Sequence, residues 1–303
     1  MQSTTTPEVL EFRHPSIPAD ARFVPGRVAI LGLGLIGGSF AKALHEGGTE
    51  VYAWNRTRST LDLAMIECVD GVLDETSVDT CELIILAGYP QVSIEWLRSM
   101  APSISPGAIV IDIAGVKRRI CKECFAIAKE RPWTFVGCHP MAGTQYSGFA
   151  HTRANMFHRA PMVVVPPRDM DDFCRLDVLE RLKTLLEPCG FGMFTLSTPE
   201  HHDEMIAFTS QIAHVLACSY VLSPLAPMHA GYSAGSYRDV SRVARINAEM
   251  WTQLFLDNKE PLVREIDDLV SNLMRFKYNI VNGDGNALTA LMKEGNRIKE
   301  EIG

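Results

Sequence analysis

Three groups of residues in this chain have the types and spacing for chemistry. The first is Val-Ala-Ile-Leu-Gly-Leu-Gly-Leu-Ile-Gly-Gly-Ser at positions 28–39. An apolar run that breaks into Gly32, Gly34 and Gly37 is a G-x-G-x-x-G pattern, with a strand before it and a helix after it. In such a turn Gly32 allows the tight bend and Gly34 lets a pyrophosphate approach the backbone. Gly37 lets helix and strand pack closely. The N–H groups at the helix start, around Leu35 and Ile36, face the anion. A second strand ends at Asn55-Arg56-Thr57-Arg58, where an NAD site usually carries Asp or Glu on the ribose. A carboxylate there would repel a 2′-phosphate, whereas arginine pairs with one through charge-assisted bonds. The expected cofactor is therefore NADP, with NAD as the alternative and solvated loop charges as the plain reading of Arg56 and Arg58.

The second group is Gly-Cys-His-Pro-Met-Ala-Gly at 137–143. It puts His139 directly after a buried strand, at the carboxyl edge where open α/β sheets bind ligands. Histidine accepts a proton near neutral pH, so His139 is the candidate general base. The third group lies further on: His202, Ser210, His214, Arg238 and Arg242. Ser210 and His214 are four apart and share a helix face, and His202 falls on the same broad side of an ideal helix. Polar groups on an otherwise apolar helix suggest a lined cavity. Arg242 could receive a substrate carboxylate or pair with Asp239 or Glu249; spacing alone leaves both open.

The elements that must position these groups follow from the apolar pattern. Between residues 27 and 167, apolar runs at 28–33, 51–54, 83–87, 109–113, 135–138 and 162–165 alternate with helical stretches. Continuous apolar runs suit strands buried on both faces, and the alternation predicts an α/β fold with a doubly wound parallel sheet of Rossmann type. After Ser197 only helical periodicity remains, starting at Thr198-Pro199 with a hydroxyl cap and a first-turn proline. The expected layout is a loose tail over 1–26, a dinucleotide-binding domain over 27–197 and an all-α domain over 198–303. Leu262, Ile266, Leu269, Leu273 and Phe276 form either that domain's core or a dimer seam.

Bulk properties narrow the function classes. The chain has 303 residues, 47% of them hydrophobic, and a formal net charge of −7. That length suffices for two domains with cores, and the charge disfavours nonspecific binding to nucleic acid or an anionic membrane. No segment is long and apolar enough to span a bilayer. The eight cysteines are scattered; Cys121 and Cys124 form one C-x-x-C without a second ligand pair, so no metal site is expected. Scattered free thiols fit a reducing, cytoplasmic compartment.

Taken in order, Gly-Leu-Gly-Leu-Ile-Gly-Gly-Ser, His-Pro-Met-Ala-Gly, His202-Asp203, Ser210 with His214, and Arg-Asp-x-x-Arg at 238–242 resemble the prephenate/arogenate dehydrogenases. The resemblance runs from Arg27 to the C-terminus. It implies a Rossmann domain followed by a helical dimerisation domain, and a homodimer through the latter. It implies NAD(P)-dependent oxidative decarboxylation of prephenate to 4-hydroxyphenylpyruvate, or of arogenate to tyrosine. His139 would bind the ring 4-hydroxyl and take its proton. His202, Ser210 and His214 would line the substrate site, and Arg242 would hold a carboxylate. One departure concerns the loop after the strand ending near Asp112. The family usually has Gly-Ser-Val-Lys there, its serine touching substrate and nicotinamide; this chain has Ala114-Gly115-Val116-Lys117. Gly115 offers no hydroxyl; either a water or Thr144 substitutes, or the substrate differs, or the rate is reduced. Two other readings are another two-domain dehydrogenase or reductase of related architecture, and a nucleotide-sensing protein without turnover.

Overall fold

The computed structural model describes residues 17–303. Its first unit holds β1 (Val24–Leu31), α1 (Leu35–Glu46), β2 (Val51–Trp54), α2 (Arg58–Glu67), β3 (Gly71–Val72), β4 (Cys81–Leu86), α3 (Pro90–Met100), β5 (Ile109–Asp112), α4 (Arg118–Ala128), β6 (Thr134–Pro140), β7 (Pro161–Val165), α5 (Asp172–Leu185) and β8 (Met193–Leu196). These strands make one sheet in the order β3-β2-β1-β4-β5-β6-β7-β8. Neighbours from β3 through β6 pair in parallel, β6 and β7 pair antiparallel, and β7 and β8 pair in parallel. The sheet is thus Rossmann-like and mostly parallel, with one antiparallel join that the apolar runs did not reveal.

The continuous apolar runs have the expected cause. Val28 and Ile30 of β1 pack into a core on one sheet face with Phe40, Leu44 and Leu61. Ala29 and Leu31 pack into a second core with Ile94, Leu97 and Phe135 on the other face. Side chains alternate between faces along a strand, so burial on both faces removes any polar alternation.

The expected tail through Gly26 is corrected here. Residues 1–16 lie outside the described residues, but Phe23 is buried and β1 already begins at Val24. The pairing of β1 with β4 shifts register between Val24 and Val28. Gly26 takes φ 79° there and donates its N–H to Glu82 Oε2 at 2.8 Å. Pro25 and Gly26 look like a break in sequence because they form this irregularity.

The second unit runs from Asp203 to Gly303. The division falls between His202 and Asp203 rather than at Ser197, inside α6 (Pro199–Ile206). A π-helical turn follows at Ala207–Gln211, then α7 (Ile212–Val221), α8 (Gly235–Ser241), α9 (Ala248–Asp257), α10 (Lys259–Asn282) and α11 (Gly285–Ile302). Gly283 closes α10 in the left-handed conformation, with φ 65°, as glycine after a helix end does. Within the second unit, Asn258 Nδ2 donates to Asp203 O and Gln211 Oε1 at 2.8 and 2.7 Å, and Gln211 Nε2 donates to Leu254 O. This buried amide network ties the π turn to the end of α9. Among the described residues no helix is long and apolar enough to cross a membrane.

Candidate active site

The glycine-rich turn joins β1 to α1. Gly32 has φ 97°, a backbone that a side chain would strain, and Ala87 O would lie 3.0 Å from a Cβ there. A Cβ on Gly37 would come within 2.0 Å of Gly32 O, so only glycine lets the helix close on the strand. Gly34 is different: nothing lies within 4 Å of its Cβ position. No side chain caps the helix at Gly34, so the N–H groups around Leu35 and Ile36 remain for an anion. The turn fits a dinucleotide pyrophosphate.

At the end of β2, Asn55 braces this turn. Its Oδ1 accepts from Leu33 N at 3.0 Å and its Nδ2 donates to Thr57 O at 3.1 Å. Thr57 caps α2 by position, without a side-chain bond. Arg58 pairs with Asp62 at 2.8 Å, both exposed. Arg56 is exposed and makes no ion pair among the described residues. Of the two guanidinium groups, Arg56 has its charge open to solvent.

His139 is the penultimate residue of β6, opposite Val163 of β7, on the carboxyl edge of the sheet. Glycine precedes it by two because a Cβ on Gly137 would meet Cys121 Sγ at 2.5 Å. Its Nδ1 lies 2.9 Å from Nε2 of His202. Next to it, at the end of β5, Asp112 and Lys117 form an ion pair at 2.5 Å with both side chains fully buried. Asp112 also accepts from Ala114 N at 2.9 Å and from Cys138 N at 3.3 Å. The pair therefore pins the loop carrying Gly115 to the strand carrying His139. Burial first, then His202, then Lys117 hold His139 well below the ordinary imidazole value of 6.5. Burial raises the Cys138 thiol, so the sulfur beside His139 is no thiolate nucleophile.

The first unit thus brings His139, His202, Lys117 and Asp112 together. Gly115 sits half-buried in the pinned loop. Lys117 and Asp112 were not singled out as site residues from sequence. The available signal was a carboxylate ending the apolar run Ile-Val-Ile-Asp, with a lysine five residues later.

In the second unit Ser210 lies in the π turn and is half-buried. That wider turn interrupts regular helix, so the ideal-helix angle that grouped His202 with Ser210 and His214 does not apply. His214 Nδ1 sits 2.8 Å from Val243 O. A carbonyl only accepts, so Nδ1 carries a proton and donates it to Val243 O. Trp251, not singled out from sequence, packs on the His214 ring at 3.9 Å between centroids. Arg242 opens a short 3-10 turn next to Val243. It is exposed and makes no ion pair among the described residues, so neither Asp239 nor Glu249 holds it.

A glycine-rich turn with room for a pyrophosphate and a histidine at the end of β6 lie on the same carboxyl edge of the sheet, an arrangement that suits a nucleotide-binding dehydrogenase. The family model described as prephenate dehydrogenase, nucleotide-binding domain, matches residues 40–193, and that of the prephenate dehydrogenase dimerization domain matches residues 198–294. The chain belongs to the prephenate/arogenate dehydrogenase family. A cyclohexadienyl dehydrogenase of Zymomonas mobilis is 28% identical, over 90% of this chain and 94% of that one. The structure of Synechocystis arogenate dehydrogenase matches with TM-score 0.77 at 27% identity, over 91% of this chain and all of that one. A prephenate dehydrogenase from A. aeolicus, solved with hydroxyphenyl propionate and NAD+, matches with TM-score 0.78 at 26% identity, over 91% of this chain and 98% of that one.

Proposed function

We propose that this chain oxidatively decarboxylates a cyclohexadienyl substrate in tyrosine biosynthesis. The substrate is prephenate, giving 4-hydroxyphenylpyruvate, or arogenate, giving tyrosine. The observation that carries the reading is the buried imidazole of His139 at the carboxyl edge of the sheet, its pKa lowered by burial, His202 and Lys117. In this reading Nε2 of His139 takes the ring 4-hydroxyl proton as hydride leaves the same carbon. When bound, the oxidised nicotinamide supplies the hydride acceptor. Loss of the ring carboxylate as carbon dioxide then aromatises the ring, so the residues mainly orient substrate and manage one proton. Ser210, His214 and Arg242 contact substrate, Arg242 through a carboxylate. Gly115 borders the substrate without donating a side-chain bond. Incubation with each substrate and each cofactor, followed by chromatography, tests this. Formation of 4-hydroxyphenylpyruvate or tyrosine supports the proposal; neither product with either cofactor overturns it.

The preferred cofactor is NADP. Gly32, Gly34, Leu35, Ile36 and Gly37 cradle the pyrophosphate; Asn55 and Thr57 shape the ribose end; Arg56, with Arg58 beside it, meets the 2′-phosphate. Each charge-assisted contact contributes about 1–3 kcal/mol. Arg56→Asp is expected to weaken NADP binding roughly tenfold to a hundredfold and to flatten or reverse the preference over NAD. Equal affinity of the parent protein for both cofactors, measured by titration, would sink the assignment.

Arg242→Gln is expected to raise KM for the cyclohexadienyl substrate, with cofactor titrations unchanged. An unchanged KM in a folded variant means that the carboxylate is held elsewhere. The proposal also includes a homodimer and a cytoplasmic location. Exposed apolar residues of α10, among them Leu273, Met274, Tyr278 and Val281, suit a dimer seam. All eight cysteines are free, as in a reducing compartment.

A further inference from the structure

We propose that His202 is the positioning residue of the His139 base, its Nε2 accepting the Nδ1 proton of His139 and so fixing the tautomer that leaves Nε2 of His139 free. The proposal rests on the reading of His139 as base. It gives His202 a place behind the base in place of one lining the substrate.

The geometry supports that place. The two nitrogens are 2.9 Å apart, and the ring planes are inclined at 58° with centroids 5.1 Å apart, an edge-on hydrogen bond rather than a stack. His202 is buried, and its Nε2 is committed to His139. Both rings come from fixed elements. His139 is clamped in β6 between β5 and β7. His202 sits in the first turn of α6, where its N–H donates to Thr198 O at 2.9 Å. His201 N donates to Thr198 Oγ1 in the same turn.

The direction of the bond follows from the chemistry. Nδ1 of His139 is occupied by His202, so Nε2 is the nitrogen left for a substrate hydroxyl. If His202 donated, neutral His139 would carry its proton on Nε2 and would have no lone pair there. If His139 donates, Nε2 is the base. The substrate O–H bond breaks and its proton moves to Nε2 as the hydride leaves. The resulting imidazolium is stabilised because its Nδ1–H bond to His202 becomes charge-assisted. When the C–C bond to the carboxylate breaks, its electron pair enters the ring and leaves a phenolate oxygen. That oxygen recovers the proton from Nε2, and the pair ends as it began.

Burial and the groups facing His139 keep its resting ring neutral. His202 contributes from α6, and Lys117 from the loop before α4, with its charge countered by Asp112 of β5. A second proton on the pair would put two imidazolium ions in contact beside a buried ammonium.

The test uses the full chain. In cofactor-free protein with 15N-labelled histidine, long-range 1H–15N spectra read the tautomer of His139, assigned by the resonance lost in His139→Asn. The expected pattern is Nδ1–H with an unprotonated Nε2. His202→Ala is expected to lower kcat about 10–100-fold, the range seen when a metal-bound histidine loses the partner of its second nitrogen, with little change in KM. His202→Gln keeps an accepting oxygen and is expected to recover most of that loss. It also removes one cause of the lowered His139 pKa, so its acid limb moves to higher pH. An Nε2–H tautomer in the parent protein overturns the proposal. So does parent-like kcat in His202→Ala, or a His202→Gln variant that stays folded yet is as slow as His202→Ala. An Nδ1–H tautomer in a protein that turns over neither prephenate nor arogenate upholds the placement of His202 and defeats the proposed function instead.

Discussion

His139→Asn lowers kcat by about 10²–10⁴, the range for a positioned general base, and leaves cofactor affinity near that of the parent. The carboxamide keeps a polar group of similar reach beside His202 but cannot take a proton at neutral pH. The loss therefore falls on the chemical step. Steady-state kinetics with a parallel cofactor titration separate the two effects; near-parent activity would remove His139 from the mechanism. The pH profile of the unmodified enzyme carries a second expectation. In the proposed mechanism only unprotonated His139 is active, and burial, His202 and Lys117 hold its pKa below 6.5. The acid limb of kcat/KM therefore lies below 6.5 rather than at or above it, and a limb centred above that value contradicts the assignment.

Lys117→Met destabilises the protein by about 3–5 kcal/mol, the usual result of stripping one partner from a buried pair. Asp112 keeps its bonds from Ala114 N and Cys138 N, but its charge is left buried and uncompensated. For a unit of this size the thermal midpoint falls by roughly 6–20 °C. The double variant Lys117→Met with Asp112→Leu is expected to recover only part of this, because those two backbone N–H groups then lose their acceptor. Thermal unfolding of the three proteins measures it. A midpoint within a degree or two of the parent for Lys117→Met would show that the pair does not anchor the Gly115 loop.

What was legible in the sequence was whatever burial or backbone geometry imposes locally. The β1, β4 and β5 runs were readable because both sheet faces are covered, and the glycine turn because Gly32 and Gly37 have no room for a side chain. Strand direction has no such local signature, so the antiparallel join of β6 and β7 was not visible. Pro25 and Gly26 imitated a tail while building an irregular strand start. β3 has only two residues, too few to show a period. In the site, His139 was readable from its place after a buried strand. His202 was read from regular helical phase, which the π turn defeats; its true neighbour lies 63 residues away in sequence. The Asp112–Lys117 pair has no local signature, because pairing in a buried site is a tertiary property.

Base-assisted oxidation coupled to decarboxylation can be read from one set of initial rates. Reduced-nicotinamide absorbance is followed with prephenate or arogenate as substrate and NADP or NAD as cofactor, together with the carbon dioxide released. Turnover of at least one cyclohexadienyl substrate is expected, faster with NADP at limiting cofactor, with one carbon dioxide released for each cofactor reduced. Cofactor binding without reduction on either substrate, or reduction without carbon dioxide, would contradict it.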